Sequence, residues 1–230
     1  EREGHIDVDL SLNGNSGYRF LGIRNGFYSY DRAGKSVDGV GDVNGDGFDD
    51  LLVGADTPYG GEAYLVFGGS TNLQALDLAD GTADGDIHFS ELDGTNGFAI
   101  IASDNGDRLG LAVSGIDDVN GDGVPDVLLG ADAADPGDPA RNAAGESYIL
   151  FGGVTNFQKL DAADGASDGK VHLEQLSRVS GWLLNGIDPD DRAGNEVAAA
   201  GDVNGDGVGD FLIGARNADP GSPPRDRAGE

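Results

Sequence analysis

The sequence contains no cysteine. That excludes a disulfide framework, thiol catalysis and thiolate metal sites, and leaves the compartment open. Basic residues are scarce, with 14 Lys and Arg against 42 Asp and Glu and a formal net charge of −28. Phosphate recognition needs a basic footprint, so the balance argues against nucleic acid as a partner. Proline is modest at 8 residues and follows no collagen period. No apolar run approaches membrane-spanning length, so membrane insertion is not expected. Sustained helical periodicity is absent too.

What is present is glycine, 41 residues of it, and acid gathered in regularly spaced clusters. Clustered acid of this kind points to bound cations rather than to a solvating tail. A hydrophobic fraction of 38% is enough for a core, which argues against wholesale disorder. The glycines read as turns between many short strands.

One stretch is written three times: GDVNGDGFDDLLVGA at 41–55, DDVNGDGVPDVLLGA at 117–131 and GDVNGDGVGDFLIGA at 201–215. The loops begin at Asp42, Asp118 and Asp202, 76 and then 84 residues apart. Other landmarks keep this phase. An Asp-Arg-x-Gly turn precedes each loop, at Asp31, Asp107 and Asp191, and EAYLVFGG and ESYILFGG follow the first two. A Gly-aromatic step recurs at Gly17-Tyr18, Gly97-Phe98 and Gly181-Trp182. The opening segment GHIDVDLSLNGNSGYRFLGI has the pattern of the later IHFSELDGTNGFAIIA. The units run over 1–84, 85–168 and 169–230. The last 16 residues align with 131–146, so that Glu230 corresponds to Glu146. A further strand is expected beyond it. With Glu1 in place of Met and no signal-peptide pattern, the sequence reads as a piece of a longer array.

Each unit reads as about four short strands, in the first unit 18–23, 36–41, 50–55 and 62–67. The fold class expected is all-β, with propeller blades of about four antiparallel strands in an incomplete ring. The excess length over common propeller repeats is assigned to loops at 72–86 and 132–145.

In each loop, oxygen-bearing residues fall at positions 1, 3, 5 and 9: Asp42, Asn44, Asp46 and Asp50; Asp118, Asn120, Asp122 and Asp126; Asp202, Asn204, Asp206 and Asp210. Glycine at position 6 permits a sharp bend, and the carbonyl at position 7 (Phe48, Val124, Val208) can supply another oxygen. Hard oxygen ligands without nitrogen or sulfur are the ligand set of calcium, so about three Ca2+ ions are expected. An EF-hand needs a bidentate Glu at position 12; here Val53, Leu129 and Ile213 stand there, inside the strand. The alternative of plain Asn-Gly hairpin turns does not account for three copies with the same ligands, because three Asp in one loop repel each other without a cation.

The Arg-Ala-Gly turn, the Gly-Asp-Val-Asn-Gly-Asp-Gly loop, the strand ending Gly-Ala and the Tyr-Leu-Val-Phe-Gly strand together resemble the FG-GAP repeat of integrin α-chain propellers. The resemblance covers essentially the whole chain. It implies a calcium-stabilised propeller that is extracellular or at the cell surface and binds a protein or glycan ligand. It also implies calcium loops on the face away from that ligand, in a structural role. Other blades from the same parent, or a second chain, would complete the ring.

The remaining candidates read as structural. The DGxxDG segments (Asp77, Asp80, Asp84; Asp161, Asp164, Asp168) read as polar inter-blade loops, and His88 and His172 as equivalent structural positions. Arg32, Arg108 and Arg192 are expected to pair with acidic loops nearby, and Trp182 to be core. No nucleophile elbow, zinc-binding HExxH or phosphate loop is present, so no catalytic residue is expected in this chain. The second function reading is a non-catalytic accessory propeller of a secreted polysaccharide-degrading hydrolase or lyase.

Overall fold

The computed structural model describes residues 14, 17–23, 31–57, 60–137 and 139–219. The patterned opening segment before Gly17 therefore falls almost wholly outside the described residues, as does the aligned tail from 220 onward.

The chain folds into antiparallel sheets laid side by side. The strands are β1 (Arg19–Leu21), β2 (Ser36–Gly41), β3 (Asp50–Ala55), β4 (Glu62–Val66), β5 (Asp86–His88), β6 (Gly97–Ile101), β7 (Ala112–Ile116), β8 (Asp126–Ala131), β9 (Glu146–Leu150), β10 (Lys170–His172), β11 (Gly181–Asn185), β12 (Ala193–Gly201) and β13 (Asp210–Ala215). The first sheet has the order β10-β6-β4-β3-β2, the second β11-β9-β8-β7, and a third pair is β12-β13. β2, β3, β4 and β6 pair antiparallel in succession, while β10 joins β6 in parallel and β5 joins β1 in parallel.

The first strands of the three sheets, β2, β7 and β12, lie next to one another. Ser36 Oγ accepts the Val113 N–H at 3.1 Å, Ser114 Oγ donates to Asp38 Oδ2 at 3.1 Å, and Ala199 N–H donates to Ser114 Oγ at 3.3 Å. The sheets thus share an inner edge and fan outward as blades do.

The strands after the loops are continuous apolar runs because both faces of each blade are covered. Leu52, Leu65 and Ile100 face the second blade in one core, while Val53, Tyr64 and Val66 on the other face pack with Tyr18, Phe20 and Ile87. In the second blade Val127 and Leu129 enter the core shared with the first, and Leu128, Ile149 and Phe151 meet Val197, Phe211 and Ile213 of the third. The two-residue period of a strand thus sends alternate side chains into different inter-blade cores. The backbones also approach closely: a Cβ on Gly54 would lie 2.1 Å from Gly110 O, and one on Gly130 2.1 Å from Gly194 O.

Two expectations are corrected. The 72–86 segment is not all loop, since α1 (Ser70–Asp77) occupies its start, and α2 (Val154–Asp161) recurs in the second repeat. Each is eight residues with two or three buried or half-buried apolar side chains on its inner face, Leu73 and Leu76 or Val154, Phe157 and Leu160, too short for periodicity to register. The two larger sheets draw on neighbouring sequence units: β6 lies past 84/85 and β11 past 168/169, each paired with a strand from before that point. Finally, Trp182 is 39% exposed whereas its counterpart Phe98 is fully buried.

Candidate metal centre

Each acidic loop joins the first two strands of a blade and is shaped by its own side chains. In the first loop Asp42 Oδ1 accepts the N–H groups of Gly45 (2.7 Å) and Asp46 (2.9 Å), and Oδ2 accepts that of Gly47 (2.8 Å). Asn44 Oδ1 accepts the Asp46 N–H at 2.7 Å, and Asp46 Oδ1 accepts that of Phe48 at 2.9 Å. The second loop repeats this through Asp118, Asn120 and Asp122, and the third through Asp202, Asn204 and Asp206. Glycine at position 6 has φ of 93°, 90° and 88° (Gly47, Gly123, Gly207), the left-handed turn that curls the loop.

Position 9 has a second task that its place in the sequence does not reveal. Asp50 Oδ2 accepts the Val43 N–H at 3.0 Å and its Oδ1 accepts the Gly68 N–H at 2.8 Å, which ties the loop to the end of the third strand. Asp126 does the same with Val119 (3.0 Å) and Gly152 (2.8 Å). Asp210 holds Val203 N–H at 3.0 Å, and its other oxygen meets Asn204 Nδ2 at 3.4 Å. Burial pushes the carboxyls of Asp50 and Asp126 up to about 6, and the neighbouring loop aspartates add to the rise.

Among the described residues, no aspartate of the three loops has a Lys or Arg in ion-pair contact. Nor do three or more His, Asp or Glu side chains already stand where they could hold a metal. The loops are the frame of a cage, not a closed cage. Their donor set still suits a hard cation: Oδ1 at position 1 already accepts two N–H groups, but Oδ2 there and both oxygens at position 9 of the first two loops accept one each and keep a second lone pair free. The side chains of Phe48, Val124 and Val208 carry no donor atom, so position 7 can contribute only its carbonyl.

The repeated arginines pair elsewhere. Arg108 reaches Asp56 at 2.9 Å and Asp132 at 3.1 Å; Arg32 lies 3.6 Å from Asp56, and Arg192 and Arg216 lie 3.6 and 3.4 Å from Asp132. Asp56 and Asp132 are buried, so a ladder of alternating charge runs from blade to blade. Arg32, Arg108 and Arg192 all adopt left-handed backbone, φ 58–62°, a strained conformation held by this pairing. The sequence signal for the partners is the residue after each Gly-Ala: Asp56, Asp132 and, in the third copy, Arg216.

The DGxxDG aspartates organise backbone. Asp77 and Asp161, at the ends of the two helices, accept the N–H groups of Asp84 and Gly85, and of Asp168 and Lys170. His88 lies 3.6 Å from Asp80 and His172 lies 3.5 Å from Asp164, equivalent places in the two repeats.

Comparison with known proteins agrees with this geometry. Residues 33–66, 109–150 and 193–230 match the FG-GAP repeat family, each match taking in an acidic loop and its flanking strands. The chain is built of FG-GAP repeats. It is 28% identical over 195 residues to the phosphatidylinositol-glycan-specific phospholipase D of Bos taurus, a match covering 82% of this chain and 19% of that protein. It is 30% identical over 105 residues to integrin alpha pat-2 of Caenorhabditis elegans, covering 44% of this chain and 7% of the integrin. With the Caenorhabditis briggsae integrin alpha pat-2 it shares 27% identity over 194 residues, 82% of this chain and 13% of that one. The FG-GAP segment thus spans about a fifth or less of these relatives. No helix among the described residues is long and apolar enough to cross a membrane.

Proposed function

We propose that this FG-GAP segment is a calcium-stabilised propeller scaffold, extracellular or at the cell surface, that displays a binding surface for a protein or glycan ligand. The observation that carries the calcium reading is the set of three loops whose aspartates lack basic partners, in a chain that pairs its buried Asp56 and Asp132 with arginine. One Ca2+ per loop would be held by the side chains at positions 1, 3, 5 and 9 and the carbonyl at 7, neutralising three carboxylates. Its role is structural, pinning the turn between the first two strands of each blade. The extracellular scaffold role draws support from the similarity to two integrin alpha chains.

Calcium binding to the native state adds RT ln(1 + [Ca]/Kd), about 2.7 kcal/mol per site at a hundredfold excess over Kd. Chelation should therefore lower the melting temperature, calcium should restore it, and a chain carrying Asp46→Ala, Asp122→Ala and Asp206→Ala should lose the response. An identical melting curve with chelator and with millimolar calcium would sink the reading.

A second reading, an accessory propeller of a secreted hydrolase, is favoured by the similarity to the bovine phospholipase D. Solid-phase binding to matrix proteins, glycan arrays and glycosylphosphatidylinositol vesicles separates the two. Saturable binding confined to the vesicles supports the accessory role.

A further inference from the structure

Two strands at the Gly-aromatic step are covered in the same way. β1 carries β5, with Arg19 opposite Asp86, Phe20 opposite Ile87 and Leu21 opposite His88. β6 carries β10, with Ala99, Ile100 and Ile101 opposite Lys170, Val171 and His172. The first bond is equivalent in both: Arg19 N–H to Gly85 O and Ala99 N–H to Gly169 O, each 2.8 Å. A helix covers the adjoining face. Leu73 of α1 shares a core with Tyr18, and Phe157 of α2 stacks on Phe98 with ring centres 5.6 Å apart. Helix and short strand lie each time beyond the next acidic loop in chain order.

β11 is the third such strand. It pairs with β9 as β6 pairs with β4, and Phe151 packs edge-on against Trp182 at 5.2 Å as Phe67 does against Phe98 at 5.8 Å. Half of the arrangement is therefore in place. The other half, a parallel strand and a helix, is not supplied by any described residue. In its stead Trp182 and Leu183 are 39% and 50% exposed, beside a cleft of about 560 Å³ that Leu173, Leu176 and Arg178 also line.

We propose that β11 is a docking edge for the helix–strand unit that follows the third strand of an FG-GAP repeat. The unit is defined by what the two internal copies share: a Gly-Gly lead, a helix with Thr-Asn-(Leu/Phe)-Gln in its first turn and Leu-Asp at its end, and a short (Ile/Val)-His strand. It adds in parallel opposite Leu183, Leu184 and Asn185, with the apolar residue of the helix's first turn seated on the Trp182 ring. Strand addition of this kind takes its affinity from main-chain hydrogen bonds and its specificity from the side-chain pocket. The inference rests on strand register and is independent of calcium.

Trp182 is the only tryptophan in the chain and reports directly on its own face. A synthetic peptide of residues 152–176, which contains no tryptophan, is titrated into the full chain. The expected result is a saturable blue shift of Trp182 emission with slowed amide exchange at Leu183–Asn185. A Phe157→Ala peptide should bind about tenfold or more weakly, having lost the ring that fills the pocket. A second peptide, its helix preformed by a staple between the exposed positions 155 and 159, removes the cost of ordering. Failure of both peptides to shift the emission at millimolar concentration overturns the proposal. So does equal binding of the Phe157→Ala peptide, or self-association of the chain that buries Trp182 and makes a second copy the occupant.

Discussion

The turn that leads into each blade concentrates charge on a few residues. Asp107 is buried, and its Oδ2 accepts the Asp104 N–H at 3.0 Å. Burial pushes its carboxyl up to about 6, and the negative charges of Glu146, Asp104 and Asp135 add to the rise. An unfolded Asp titrates near 3.9, so between about pH 4 and 6 the native state holds the extra proton. The stability this gives is complete below about pH 4 and is lost as pH rises through about 6. Asp107→Asn keeps one acceptor and removes the titration. The variant should melt about 2–4 °C higher than the parent at pH 7.5, and no higher at pH 4. Equal differences at the two pH values would show that Asp107 is not the group responsible.

At the scale of the element, the feature with most leverage is the short helix behind each third strand. Glycine precedes it without a side-chain cap, so its first turn is held by an asparagine that reaches outside the helix. Asn156 Nδ2 donates to the carbonyls of Phe151 at 2.7 Å and Ser180 at 3.0 Å, and Asn72 does the same to Phe67 at 2.6 Å and Asn96 at 3.1 Å. One amide thus fixes helix, third strand and fourth strand together. Truncating Asn156 to Ala should destabilise the chain by about 1–3 kcal/mol, since the Phe151 carbonyl loses this donor and the Ser180 carbonyl keeps only the Phe151 N–H at 3.0 Å. Urea titration measures it, as a shifted midpoint with unchanged slope. A change under about 0.5 kcal/mol, the range of an ordinary surface substitution, would mean that apolar packing alone holds the helix.

Across the whole molecule, the blades are joined by shared cores and by the Arg–Asp ladder. Arg108 touches Asp56 of the first blade and Asp132 of the second, whereas Arg32 reaches Asp56 alone. Removing one partner of a buried pair costs about 3 kcal/mol or more. In Arg108→Met, Asp56 keeps Arg32 and Asp132 keeps Arg192 and Arg216, so the loss should be smaller, about 1–3 kcal/mol, and greater than that for Arg32→Met. Equal losses for the two variants in chemical denaturation would mean that the ladder does not couple the blades.

The division between sequence and tertiary structure follows range. The acidic loops, their glycine turns and the strands that follow are set by residues within a dozen positions of one another. The threefold repetition made them legible, and strands over 36–41 and 50–55 stand where alternation and turns put them. The two helices escaped because eight residues carry only two or three inward-facing apolar side chains, too short a run for periodicity to register. The partners of Arg108 escaped because Asp56 and Asp132 lie 52 and 24 residues away. Trp182 was expected to be buried by analogy with Phe98, but burial at that position is conferred by the helix and strand beyond the next acidic loop. Local chemistry thus wrote the loops and strands, while the joining of blades, the phase of the sheets and the open edge at β11 were decided by contacts between repeats, which no single repeat encodes.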